Sequence, residues 1–132
     1  MALIGKSLPL KGKKILVTGG ARRVGESICR ALASRGAEVI VHYHRSEPAA
    51  RELAASLKKL GGRAETVQFD LADIAGMRET VSALLERHGS LDALVCNAAV
   101  FFPTPFFDVR EQDWDTIVNT NLKGNFFLCQ QI

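Results

Sequence analysis

The sequence predicts an α/β fold built as a doubly wound parallel sheet. Three observations carry that expectation. Short apolar, β-branched runs alternate four times with stretches of helical periodicity, the connections between them are short, and glycines stand where helices should stop. Such alternation implies right-handed crossovers and parallel strands covered on both faces.

Residues 14–18 (KILVT) read as the first strand. Val24, Ile28, Ala31 and Leu32 then recur at helical spacing, with Gly36 after Arg35 as the stop. Residues 38–43 form the second strand. Ser46 suits an N-cap and Pro48 the first turn of a helix striped by Leu53, Leu57 and Leu60 and closed by Gly61 and Gly62. Residues 64–69 are the third strand, the least apolar because of Glu65. Met77, Val81, Leu84 and Leu85 stripe a third helix that Gly89 ends, and residues 91–96 are the fourth strand. In the loop 101–107 (FFPTPFF), Phe102, Phe106 and Phe107 are expected to act as anchors. Asp108 and Glu111 have capping-box spacing before a last helix carrying Trp114, Ile117, Val118, Leu122 and Phe126.

A chain of 132 residues suits one domain. Its composition, 47% apolar and 23% charged, is that of a soluble globular protein, expected in the cytoplasm. The longest apolar stretch, 93–102, contains Asn97 and is shorter than the roughly 18 residues a membrane span needs. A net charge of +3 is spread along the chain apart from Lys11, Lys13, Lys14, Arg22 and Arg23, so no nucleic-acid face is expected. Cys29, Cys96 and Cys129 lie in apolar runs with no C-x-x-C pair. They read as buried reduced thiols, and no metal site is expected. Residues 1–13 read as an N-terminal arm and 14–132 as the first part of a single domain. The doubly wound nucleotide fold has about six strands. Four are counted here, in an expected order 3-2-1-4 that leaves the fourth as a bare edge, so the domain reads as incomplete, truncated in its fourth helix.

Residues 18–25 (TGGARRVG) join the first strand to the first helix. Gly19 allows a tight turn and Gly25 close packing where the helix begins. Free N–H groups there, with Thr18, Arg23 and Val24 around them, suit a diphosphate. In this context the loop marks a Rossmann-type nucleotide fold. At the end of the second strand an NAD enzyme would place an acid for the ribose 2′-hydroxyl. This chain has Tyr43, His44, Arg45 and Ser46, and the first carboxylate, Glu47, should be turned away by the helix start. Arg45 and Ser46, helped by His44 and by Arg23 in the glycine loop, can hold a 2′-phosphate. The cofactor expected is NADP.

The loop spacing T-G-x-x-x-x-x-G resembles the short-chain dehydrogenase/reductase family. Asp70-Leu71, Asn97-Ala98-Ala99, Asp113-Trp114 and residues 119–124 (NTNLKG) fall in that family's order. The resemblance runs from Gly12 onward. It implies cofactor contacts at Asp70, Leu71, Asn97, Ala98 and Ala99, a small-molecule substrate and a homo-oligomer. Cys96 departs from the Asn common before Asn97. More narrowly, Arg23 in place of a middle glycine, residues 42–46 (HYHRS) and residues 97–105 (NAAVFFPTP) resemble pteridine reductases, which implies a pterin stacked on Phe101. The family's proton donor is a Tyr four residues before a Lys. The one tyrosine here, Tyr43, is followed at that distance by Glu47. This stretch alone is therefore expected to be inactive, with Asn121 a supporting residue only, either a holder of a relay water or a structural amide. Two alternatives stand beside pteridine reduction: another carbonyl substrate, such as a 3-oxoacyl thioester or a sugar, or a non-catalytic NADP-binding module.

Overall fold

The computed structural model describes residues 9–132. Four parallel strands lie in the order β3-β2-β1-β4, as expected. They are β1 (Lys14–Val17), β2 (Glu38–Tyr43), β3 (Arg63–Gln68) and β4 (Ala93–Val95), interleaved with α1 (Arg23–Ala33), α2 (Glu47–Lys59) and α3 (Ile74–His88). After β4 come a 3₁₀ turn (Phe106–Asp108), α4 (Glu111–Val118), a π-helical turn (Asn119–Gly124) and α5 (Asn125–Gln131).

Strand alternation divides the core into two layers. Ile15, Val17, Val39 and Val41 face Cys29 of α1 and Leu53 and Leu57 of α2. Leu16, Ile40, Val67 and Phe69 face Met77, Val81 and Leu84 of α3 and Leu128 of α5. In register, Leu16 sits between Ile40 and Leu94, so β1 is the centre of both layers. The N-terminal arm reading falls partly on residues 1–8, outside the described residues. Just after them, Leu10 packs on the first layer and its N–H donates to Arg35 O at 3.1 Å.

Several expectations are corrected. Strand β4 is shorter than 91–96, because after Val95 the backbone N–H groups of Asn97 and Ala98 turn to the Thr18 hydroxyl. Asp108 caps no helix: it lies in the 3₁₀ turn, and α4 starts at Glu111, where Arg110 grips Asp113 through two bonds of 2.8 Å. Ser46 takes the N-cap position without a side-chain bond. The last helix is broken by its π turn. Ile117, Asn121, Gly124 and Leu128 share its inner side, so Trp114, Leu122 and Phe126 are exposed. Leu60, Val24 and Ala31 also leave their stripes for solvent, and Phe106 and Phe107 anchor nothing, packing edge to face on each other while exposed. Of the cysteines only Cys29 is buried. Cys96 and Cys129 are exposed with their sulfurs 3.8 Å apart, since β4 and α5 converge there.

Candidate functional site

The C-terminal ends of β1, β2 and β4 converge on the glycine loop. Thr18, fully buried, is the knot. Its hydroxyl accepts from the N–H groups of Asn97 and Ala98, both at 3.0 Å, and donates to Val95 O at 3.3 Å. Asn97 returns two bonds, its Nδ2 donating to Thr18 O at 2.9 Å and to Gly19 O at 3.1 Å. From the other side Gly19 N–H donates to His42 Nδ1 at 3.0 Å and Gly20 N–H to His42 O at 3.0 Å. The loop is thus tied to β2 and to the segment after β4.

Helix α1 begins inside this frame. Any Cβ on Gly25 would collide with the Gly19 carbonyl oxygen, so only glycine admits this approach of helix to loop. The N-cap, Arg22, makes no side-chain cap bond. The first-turn N–H groups of α1 are left for an anion, as a diphosphate requires. Arg23 has φ of 51°, a left-handed conformation that an L side chain adopts at a cost of roughly 1–2 kcal/mol.

Two grooves adjoin along Gly19 and Arg22. The larger, about 800 Å³, runs over the ends of β2 and β3. It is lined by Arg22, His42, Tyr43, His44, Arg45, Ser46 and Asp70, and by Glu111 and Asp115 of α4. The smaller, about 300 Å³, is lined by Arg23, Val24, Gly25, Asn97, Ala98 and Ala99. The cation sharing a cleft with Arg45 is therefore Arg22, which sequence reasoning passed over, and Arg23 lies in the adjoining groove. Among the described residues, Arg22, Arg23 and Arg45 have no ion-pair partner. Glu47 is turned away and pairs with Arg51 at 2.7 Å. His44 approaches Asp70 at 3.6 Å, and Asp70 Oδ1 accepts from Ala72 N–H. Leu71 is buried in the second core layer. These features fit a dinucleotide: a cradle that a Cβ would fill, an uncapped helix start, and unpaired guanidinium groups.

Burial holds His42 neutral, its pKa pushed down to about 4. Asn121 closes on Val100, which lines the larger cleft. Its amide gives one donor and one acceptor bond there and keeps a second N–H and a second lone pair. Phe101, next in sequence, is 86% exposed.

The short chain dehydrogenase family model matches residues 13–132. A curated relative, the hydroxynaphthalene reductase-like protein Arp2 of Metarhizium guizhouense, is 35% identical over 92% of this chain and 45% of its own length. The 3-oxoacyl-[acyl-carrier-protein] reductase FabG of Chlamydia pneumoniae is 30% identical over 95% of this chain and 50% of its own. A crystal structure of a short chain dehydrogenase from Burkholderia cenocepacia in complex with NADP superposes with a TM-score of 0.86 at 37% identity, covering 92% of this chain and 50% of that one. The chain belongs to the short chain dehydrogenase family. It spans about half the length of the relatives it matches.

Proposed function

We propose that this chain forms the cofactor-binding part of an NADP-dependent reductase. The observation carrying that reading is the pairing of Arg22 and Arg45 in one cleft, with Ser46 and His44 at the end of β2, while the carboxylates of that cleft, Asp70, Glu111 and Asp115, come from other elements. The Burkholderia relative, solved with NADP, supports it. Arg22, Arg45 and Ser46 would hold the 2′-phosphate, the N–H groups at the start of α1 the diphosphate, and Asp70 the adenine side. Asn97, Ala98 and Ala99 would line the passage toward the nicotinamide. When bound, that ring supplies a hydride to the substrate. Residues 14–132 would then be the first part of one NADP-binding domain in a soluble, cytoplasmic homo-oligomer.

For the substrate we favour a flat fused-ring compound of the pterin type, with the exposed Phe101 as its stacking wall. A ring stacked there gains roughly 0.5–1.5 kcal/mol beyond burial. The relative named for a hydroxynaphthalene, also a fused ring, agrees with that shape. The second reading, a 3-oxoacyl thioester, is favoured by the FabG relative. Assay of the complete enzyme that carries this stretch, with NADPH and either dihydrobiopterin or a 3-oxoacyl thioester, decides between them. Turnover of the pterin, cut at least tenfold by Phe101→Ala, is expected. Turnover of the thioester alone overturns the pterin reading.

A further inference from the structure

A histidine inside an apolar strand must find partners for both ring nitrogens. His42 is 2% exposed. Its Nδ1 accepts from Gly19 N–H, so that nitrogen carries no proton. Its Nε2 lies 3.0 Å from Phe69 O, a group that can only accept, so Nε2 carries the proton. The partners thus fix one neutral tautomer. The ring also lies against Phe69, with centroids 3.9 Å apart and planes tilted by 32°. The end of β3 therefore braces the ring, and the ring braces the loop after β1.

Gly19 is the residue that most needs this brace. Its φ of 61° and missing side chain leave its backbone free to swing. Asn97 pins its carbonyl from the β4 side and His42 pins its N–H from the β2 side. Its carbonyl is also the atom against which Gly25 seats the start of α1.

Resting on the NADP reading above, we propose that His42 is a positioning residue for the cofactor: it fixes the Gly19 peptide so that the first turn of α1 faces the diphosphate. It touches no reacting atom.

Two variants of the full chain separate its two bonds. His42→Asn keeps an acceptor in the place of Nδ1 and loses the donor to Phe69 O. His42→Gln carries its amide nitrogen toward the place of Nε2 and loses the acceptor for Gly19 N–H. Both are expected to lower the melting temperature. Only His42→Gln is expected to weaken NADPH binding tenfold or more, with His42→Asn within threefold of the parent. Equal affinities in the two variants, or a loss of affinity that tracks melting temperature, overturns the proposal. Failure of the parent to bind NADPH overturns the NADP reading itself. Should His42→Gln not fold, two-bond ¹H–¹⁵N spectra of the unmodified chain still decide. A neutral Nε2–H ring that keeps its tautomer when NADPH is added supports the brace, and a charged or Nδ1–H ring overturns it.

Discussion

The carboxamide of Asn121 closes a ring of two hydrogen bonds on the backbone of Val100, accepting from its N–H and donating to its carbonyl, each at 2.8 Å. This contact ties the π turn to the segment after β4, where the exposed Phe101 follows Val100. Replacement by Asp keeps the acceptor and sets a carboxylate oxygen against the Val100 carbonyl. Leaving such a group unsatisfied costs about 1–3 kcal/mol. Urea unfolding of Asn121→Asp should show a loss in that range, and an unchanged midpoint would mean that the clamp carries no stability.

Arg23 occupies left-handed backbone. A glycine there removes the clash of Cβ with the following carbonyl, and Arg23→Gly should raise stability by about 1 kcal/mol. A melting temperature higher by a few degrees is the expected result. A lower one would show that the guanidinium makes a stabilising contact outweighing the strain.

The pH dependence follows from His42. Burial sets its folded pKa at about 4, below the ordinary 6.5. The unfolded chain therefore takes up this proton first, and the stability that His42 contributes is complete above pH 6.5 and lost as pH falls toward 4. At pH 4.5 the loss is about 2–3 kcal/mol relative to pH 7. Burial is the largest cause, and the bond to Phe69 O acts the other way. His42→Asn should flatten the profile between pH 6.5 and 4.5, as read from urea midpoints. A parent profile already flat there would contradict the neutral buried ring.

The sheet was legible because its physics is local. The unbroken apolar run Val39, Ile40 and Val41, buried on both faces of the sheet, and helical stripes such as Met77, Val81 and Leu84 declare their burial directly. The glycine loop was legible too, since Gly25 answers a steric demand that no other residue meets. The last helix was not. Its π turn goes with a bond between Asn121 and Val100, 21 residues apart, which no local pattern encodes. Arg22 shares the larger groove with Arg45 while Arg23 lines the adjoining one, a division set by how the loop turns at the left-handed Arg23, which spacing alone cannot show. His42 left a signal that went unused: a polar ring amid valines and isoleucines implies buried partners. The two exposed cysteines were misjudged because their runs are apolar while β4 and α5 present them outward.

The most direct test is the ratio of NADPH to NADH affinity in the full chain, measured by fluorescence titration for the parent, Arg22→Ala and Arg45→Ala. Charge-assisted bonds are worth about 1.5–3 kcal/mol each. The parent should prefer NADPH at least tenfold, each variant should bind NADPH about ten- to a hundredfold more weakly, and NADH affinity should hardly change. Equal affinity of the parent for the two nucleotides, or parallel losses for both in the variants, would contradict a 2′-phosphate held between these two arginines.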